Sequence, residues 1–221
     1  MPGAFLPAID APEMMELLGQ TMLTQSLAAV AEFDRRGLRV PTVAVNFSAR
    51  ELQDPQLPDR LRWTLDRFHL APSRLTVEVL ESVVAGDGDE VIASNIGRIA
   101  AMGCGVDLDD FGTGNASITA IRRFALNRLK IDRSFVHEVD RNREQQRLVT
   151  AILSLAERLG LETLAEGVET QAEHALLAQL GCGHVQGYVI ARPMSGEDLA
   201  SWLVAQRDRR AEALRIGMKT R

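Results

Sequence analysis

The stretch 105-GVDLDDFGTG-114 joins a strand-like apolar run to two acidic residues and a glycine-rich turn. Apolar runs rich in β-branched residues recur along the 221-residue chain and alternate with longer segments of helical period. This alternation predicts an α/β fold, in which parallel strands are joined by right-handed helical crossovers. The predicted strands are Thr42–Phe47, Leu75–Leu80, Gly105–Asp109, Arg128–Asp132, Glu162–Ala165 and His184–Val189.

Residues that start and stop helices lie between these strands. Thr170 with Glu173 has the spacing of a capping box, and Ser195 with Asp198 is a weaker version of it. Glycine is typical of the position at which a helix ends. We expect helix ends at Gly37, Gly103, Gly160 and Gly181.

Two architectures fit these strands, an open doubly wound sheet and a (β/α)8 barrel. No GxGxxG follows the first strand, which disfavours a dinucleotide-binding sheet. The six predicted strands are two short of a closed barrel, and a helix from Pro12 to about Arg36 precedes the first of them. Either the sheet is open, or two leading strands lie upstream of Met1.

Composition excludes several classes of protein. The 25 basic and 30 acidic residues give a net charge of -5, which argues against a surface that binds duplex nucleic acid. The apolar stretches are far shorter than the roughly 18 residues of a membrane helix, and we predict no signal peptide. Cys104 and Cys182 lack CxxC spacing, which disfavours a disulfide scaffold or zinc site and predicts a cytoplasmic location.

Polar residues stand at or just beyond the C-terminal end of each predicted strand. Because parallel strands bring these ends to one edge of a sheet, we expect the side chains to converge on one site. The residues are Asn46, Glu78, Glu81, Asp109, Asp110, Lys130, Asp132, Glu166, Glu169 and Gln186.

The chemistry of such a cluster is constrained by its charge. Several carboxylates in one pocket repel one another unless cations neutralise them. Oxygen ligands without His or Cys favour hard ions such as Mg²⁺ or Mn²⁺, and two such ions about 4 Å apart suit phosphoryl hydrolysis. Lys130 is the cation of the set; near metal ions its pKa should fall, so that it could orient or deprotonate a water.

Each of these residues also has a simpler explanation when it is taken alone. Asp109-Asp110 before Phe-Gly is typical of a turn or a helix cap, and Lys130 could be a surface lysine with a packed stem. Their occurrence at the same end of every predicted strand favours a common site. The chain's four histidines have no paired spacing, and we do not expect them to be catalytic.

Six segments together resemble one known family. They are 45-VNFSAREL-52, 78-EVLES-82, 107-DLDDFGTG-114, 129-LKIDRSFV-136, 165-AEGVET-170 and 181-GCGHVQGYVIARP-193. In this order they resemble the EAL-domain family of bacterial cyclic-di-GMP phosphodiesterases, over about Phe5 to Val204. The resemblance implies a TIM-like (β/α) barrel that hydrolyses cyclic di-GMP to linear pGpG in signal transduction.

The resemblance also implies two Mg²⁺ or Mn²⁺ ions and assigns their ligands by position. The implied metal ligands are Asn46, Glu78, Asp109, Asp110 and Glu166. Asp109 would bridge the two ions, with Asp110 and Glu166 serving the second. Glu166 would belong to the catalytic residues as well.

Further roles follow from the same resemblance. Lys130 would position the attacking water, and Glu169 would act with it as a catalytic residue near the second ion. Gln186 and Asp132 would bind the substrate, and Gln186 would also support the water shell of the second ion. Glu81 would hold the loop after the Asp pair in register.

The sequence departs from the family's pattern in three places. The strand with the Glu-Ala-Leu signature, its metal-binding Glu and a nearby substrate-binding Arg are absent, which agrees with the two missing strands. Asn115 and Ala116 replace an aromatic residue and Ser, and Asn127 replaces a common Asp. We therefore expect an N-terminally incomplete EAL-like domain over residues 1–206 and a charged C-terminal tail over residues 207–221.

Two functions remain open at this point. The first is a metal-dependent phosphodiesterase, and the second is a degenerate EAL module that binds cyclic di-GMP or a protein partner without turnover. In either case the resemblance implies a homodimer and fused or associated sensory or diguanylate cyclase domains.

Overall fold

The computed structural model describes residues 12–85 and 90–218, with side chains for residues 14–85 and 90–209. The strands are β1 (Val43–Phe47), β2 (Leu75–Leu80), β3 (Gly105–Phe111), β4 (Arg128–Ile131), β5 (Glu162–Ala165) and β6 (His184–Val185). The helices are α1 (Pro12–Arg35), α2 (Ala49–Leu52), α3 (Leu57–Arg67), α4 (Glu81–Ala85), α5 (Glu90–Met102), α6 (Ile118–Arg123), α7 (Arg133–Val136), α8 (Arg143–Leu159), α9 (Gln171–Gln179) and α10 (Gly196–Met218).

The six strands form one parallel sheet in the order β1-β2-β3-β4-β5-β6. Each strand pairs with the next one along the chain, whereas a doubly wound sheet reverses its order at a switch point. The sequential order is that of a (β/α) barrel, and it confirms the predicted α/β class. Within the described residues, β1 pairs only with β2 and β6 only with β5.

Three strands differ slightly from their predicted bounds, and the first of them, β1, begins at Val43 and not at Thr42. β3 continues to Phe111, which pairs with Ile131 after an irregularity in the ladder. β4 ends at Ile131, one residue early, because the side chain of Asp132 accepts a hydrogen bond from Ser134 N–H and caps helix α7. The polar residue predicted inside the end of this strand therefore lies just beyond it.

The prediction that the last strand reaches Val189 is wrong beyond Val185. After Val185 the chain bonds to the loop beyond β5 instead of continuing the ladder. Val168 N–H donates to the carbonyl of Gln186 at 3.1 Å, and Val189 N–H donates to the carbonyl of Val168 at 3.0 Å. Gly187 permits this approach, since a Cβ there would lie 2.2 Å from the Val168 carbonyl oxygen.

The predicted helix boundaries are confirmed. Thr170 and Glu173 form a reciprocal capping box at the start of α9, and Ser195 Oγ accepts the N–H of Asp198 at 3.2 Å. The glycines expected to end helices all have positive φ, which a side chain would disfavour. These are Gly37, Gly103, Gly160 and Gly181.

Side chains alternate between the two faces of the sheet, as the period of a strand requires. On the face towards the helices, Val77, Leu108 and Leu129 are fully buried in apolar clusters. The opposite face carries Glu78 and Lys130, which are nearly as buried although they are charged. The fold thus places ionisable groups inside the arc of strands and the apolar core outside it.

Helix α10 runs through the boundary expected between residues 206 and 207, and residues 219–221 of the predicted tail lie outside the described residues. Its Ala200 packs with Phe33 and Leu38 near the end of α1.

Among the described residues, no helix has the length and apolar character that crossing a membrane requires. The domain limits given by the sequence stay a prediction.

Candidate active site

Neighbouring strands β1 and β2 place the first two predicted site residues side by side. Asn46 and Glu78 are partners in the parallel register. The side-chain amide of Asn46 donates to Glu78 Oε2 at 3.0 Å. This bond leaves the amide oxygen of Asn46 available as a neutral ligand beside the carboxylate of Glu78.

The ammonium group of Lys130 lies at the centre of the site. Its Nζ atom contacts Glu78 Oε1 at 2.6 Å, Asp109 Oδ1 at 2.9 Å and Glu166 Oε1 at 2.8 Å. The lysine side chain is only 3% exposed, so it is not the surface lysine that the simpler explanation required. Strands β2, β3 and β4 and the loop after β5 therefore each bring one charged group to the same point.

The charge of Lys130 is fixed by these neighbours. Burial opposes the charged form, but the carboxylates of Glu78, Glu166 and Asp109 outweigh it and raise the pKa of Lys130 above its ordinary value. An ammonium ion with a raised pKa can donate hydrogen bonds to a water but does not deprotonate it. A lowered pKa in the presence of metal ions stays a prediction.

Asp110 and Glu166 extend the acidic cluster beyond Lys130. Burial raises the pKa of Glu166, and its bond to Lys130 offsets this only in part. Burial, together with the neighbouring Asp109, likewise raises the pKa of Asp110. With Glu78 and Asp109, the cluster has four carboxylates beside one ammonium group.

The acidic cluster fits a divalent cation. Asp109, Asp110 and Glu166 each offer a carboxylate oxygen, and these oxygens lie within 4.8 Å of one another. Ligands that are all oxygen favour hard ions of the Mg²⁺ type. Burial raises the pKa values of Asp110 and Glu166, and a cation bound among these oxygens would favour their ionised forms.

The loop after β3 is held by Glu81, which is 3% exposed. Its Oε2 atom accepts the backbone N–H groups of Gly112 at 2.8 Å and Gly114 at 3.1 Å. Its Oε1 atom accepts the N–H of Ala116 at 2.8 Å. These three bonds tie the loop over Gly112 to Ala116 to one side chain, as the expected loop-organising role of Glu81 requires.

The same loop rests on the short helix α7. Gly112 has a φ of 101°, and a Cβ at this position would lie 2.5 Å from the ring of Phe135. Gly112 is therefore required both by its backbone conformation and by the aromatic ring that packs on it.

The structure brings the remaining predicted residues to the same edge with fewer contacts. Asp132 caps α7, its Oδ1 accepting Ser134 N–H at 2.9 Å. Glu169 and Gln186 are exposed, in the loop after β5 and just beyond β6. Their proposed roles towards substrate and water stay predictions.

Sequence reasoning missed a second layer of charge on the inner face of the sheet. Asp107, directly opposite Glu78 in the register, is 3% exposed, and its carboxylate lies 3.5 Å from Arg128. Arg128 also bonds to Glu162 at 2.7 Å. The alternation of GVDLDD could have revealed this layer, because it places Asp107 on the same face as Asp109.

The fold and site define an α/β protein with a carboxylate-rich centre at the C-terminal edge of its sheet. The profile of the EAL domain matches residues 1–193. The chain belongs to the EAL domain family.

Curated relatives match nearly all of this chain. It is 36% identical over 198 residues to the bifunctional diguanylate cyclase/cyclic di-GMP phosphodiesterase MucR of Pseudomonas aeruginosa, covering 90% of this chain and 29% of that protein. It is 34% identical over 185 residues to the cyclic di-GMP phosphodiesterase PdeR of Escherichia coli, covering 84% of this chain and 28% of that protein. The chain thus spans between about a quarter and a third of the length of the relatives it matches.

Solved structures of other proteins have a similar fold. The P. aeruginosa MucR phosphodiesterase in complex with c-di-GMP has a TM-score of 0.83 and 36% identity, covering 90% of this chain and 80% of that one. The EAL domain of Mycobacterium smegmatis DcpA has a TM-score of 0.80 and 30% identity, covering 85% of this chain and 84% of that one.

The tripeptide Glu-Ala-Leu does occur once in this chain, but not on the strand that carries the family's signature. It stands at residues 212–214, within helix α10 and not on a strand. The structure describes no side chain there. These residues are therefore not assigned to the site.

We predict that Gly112→Ala lowers the free energy of unfolding by about 1–3 kcal/mol, because it combines an unfavourable φ with overpacking against Phe135. The measurement is urea denaturation followed by circular dichroism.

The matched control is Gly97→Ala, inside α5, where a Cβ would meet no atom within 4 Å. It should leave stability unchanged or raise it by about 0.5–1 kcal/mol. Equal effects of the two substitutions would contradict the contact between the site loop and α7.

Proposed function

We propose that this domain hydrolyses cyclic di-GMP to linear pGpG with two Mg²⁺ or Mn²⁺ ions. The observation that supports it best is the convergence of Glu78, Asp109 and Glu166 on buried Lys130, with Asp110 beside them, in a chain of the EAL family. Its similarity to the bifunctional MucR and to PdeR, both named as cyclic di-GMP phosphodiesterases, supports the choice of substrate.

The residues divide between two ions. Asn46, Glu78 and Asp109 would hold one ion, while Asp110 and Glu166 would hold the other, with Asp109 bridging. When bound, the ions neutralise charge on the entering and leaving oxygens of the phosphodiester. Among these ligands Asn46 is neutral, and the others are carboxylates.

Lys130 orients the attacking water by donating a hydrogen bond to it. The ammonium group is already desolvated, but its three N–H groups face three carboxylates. One N–H group would become available to the water when a bound cation takes the place of Lys130 at one of these carboxylates. Glu169, exposed at the same edge, acts with Lys130 on the water near the second ion. Gln186, also exposed there, binds the surrounding water and the substrate. Asp132 contacts the substrate from the start of α7.

Glu81 keeps Asp110 in place indirectly. Its three backbone bonds fix the loop over Gly112 to Ala116, which begins two residues after Asp110. Because the position of a ligand controls the alignment of the reacting groups, order in this loop is part of the catalytic geometry.

We predict that Asp109→Asn lowers Mn²⁺-dependent hydrolysis of cyclic di-GMP at least about a hundredfold, because a bridging ligand loses its charge. Formation of pGpG, followed by chromatography, is the measurement. Asp59→Asn is the control, since Asp59 is 55% exposed and pairs with Arg98 on the surface.

Near-normal activity of Asp109→Asn would show the two-metal assignment to be wrong. If the unaltered protein binds cyclic di-GMP but forms no pGpG, the degenerate binding module is the correct function.

We further propose a homodimer formed through the loop after Asp110 and helix α6. Ile118 at the start of α6 is 53% exposed. It borders a groove of about 610 Å³ that also includes Phe124, Leu126 and Leu155. An apolar residue at such a border is suited to burial against a second copy.

Light scattering at tens of micromolar should therefore give about twice the chain mass of 24.3 kDa. Ile118→Arg should shift the mass to that of a monomer, whereas Met22→Arg on α1, with 49% exposure, should not. A monomeric unaltered protein, or dissociation by both variants, would count against this interface.

A further inference from the structure

A second buried carboxylate, Glu173, gathers backbone N–H groups from two segments of the chain. It is 2% exposed and lies in the first turn of α9. Its Oε2 atom accepts the N–H groups of Glu169 and Thr170, each at 2.9 Å. Its Oε1 atom accepts the N–H of Glu138, also at 2.9 Å.

The bond to Glu138 lies outside the ordinary capping box. In that motif, the third helical residue accepts only from the residue that caps the helix. The capping box of α2 shows the ordinary form, because Glu51 uses its Oε2 atom to accept both the N–H and the Oγ–H of Ser48. Glu173 uses its other oxygen to reach a residue 35 positions earlier.

Glu138 lies in the turn after α7, and its own backbone is unusual, with a φ of 57°. Helix α7 contacts both acidic loops of the site. A Cβ on Gly112 would meet the ring of Phe135, and a Cβ on Gly167 would lie 2.6 Å from the Cβ of Arg133. The turn that Glu173 holds is therefore continuous with the helix against which both loops pack.

The hydrogen bonds around Glu173 favour its ionised form. Burial opposes the charged form, but hydrogen bonds from the backbone of Glu169, Glu138 and Thr170 outweigh it and keep the pKa of Glu173 below its ordinary value. Such a carboxylate accepts strong, charge-assisted hydrogen bonds. Both of its oxygens are engaged, each with a different segment.

We propose that Glu173 is a positioning residue, which ties the loop over residues 166–170 to the turn after α7 and thereby fixes Glu166 and Glu169 at the sheet edge. Glu173 acts through the backbone and does not touch substrate or metal. Its effects on turnover and on metal affinity rest on the proposed function, whereas its effect on loop order does not.

The test is Glu173→Gln, which preserves size but replaces one accepting oxygen by an NH₂ group that cannot accept. The variant can hold one segment but not both. Glu51→Gln is the matched control, because Glu51 accepts through a single oxygen that glutamine retains. Both variants are made in the full chain and compared by hydrogen exchange, Mn²⁺ titration and hydrolysis of cyclic di-GMP.

In Glu173→Gln we expect amide exchange at least about tenfold faster in the segment around Glu138 or in the loop over 168–170, and weaker Mn²⁺ binding. We expect kcat to fall about tenfold to a hundredfold, as for a misplaced catalytic group. KM should change less than about threefold, since binding of the substrate itself is little affected. Glu51→Gln should change none of these.

Unchanged exchange in both segments would overturn the tie, and unchanged Mn²⁺ affinity would overturn the positioning of Glu166. A fall in both kcat and stability without any local change in exchange would indicate a merely structural role. If the unaltered protein does not hydrolyse cyclic di-GMP, the proposed function fails, but hydrogen exchange still decides whether Glu173 ties the two segments together.

Discussion

The structure depends on one buried ammonium group surrounded by carboxylates. Lys130 contacts Glu78, Asp109 and Glu166 within 2.9 Å. Removing one partner of a buried ion pair leaves an uncompensated charge, which costs far more than an exposed pair contributes. The four elements that supply these groups are therefore held in one relative position by electrostatics as well as by the apolar core behind the sheet.

Four carboxylates lie around the ammonium group of Lys130 at this centre. This excess of negative charge is what makes the centre suited to binding a cation. Burial, with a smaller contribution from neighbouring carboxylates, keeps the pKa values of Asp110 and Glu166 raised although Lys130 is close by. Divalent cations would relieve the repulsion that remains. Within the described residues, the nearby carboxylates of Glu81 and Glu173 are not paired with a cation. Each is buried and orders a loop by accepting backbone N–H groups.

Features set by neighbours in sequence could be predicted, and features set by distant contacts could not. The period of the strands and the acidic pair at Asp109 predicted the sheet and its polar edge. The residues around Val185 did not predict that the backbone of Val168 would bond to Gln186 and Val189 and so end the last strand early. The capping box of Glu173 could be predicted from its spacing to Thr170. Its bond to Glu138 could not, because it depends on where α7 lies in the fold.

The most direct test of this account is the stability of Lys130→Met, measured by urea denaturation with and without Mn²⁺. Without the ion, the variant should lose about 3–5 kcal/mol, the usual cost of leaving buried carboxylates without their cation. Added Mn²⁺ should restore much of this loss and should stabilise the variant more than the unaltered protein. If the variant is as stable as the unaltered protein, or if Mn²⁺ stabilises both equally, Lys130 is not the counter-ion on which the acidic centre depends.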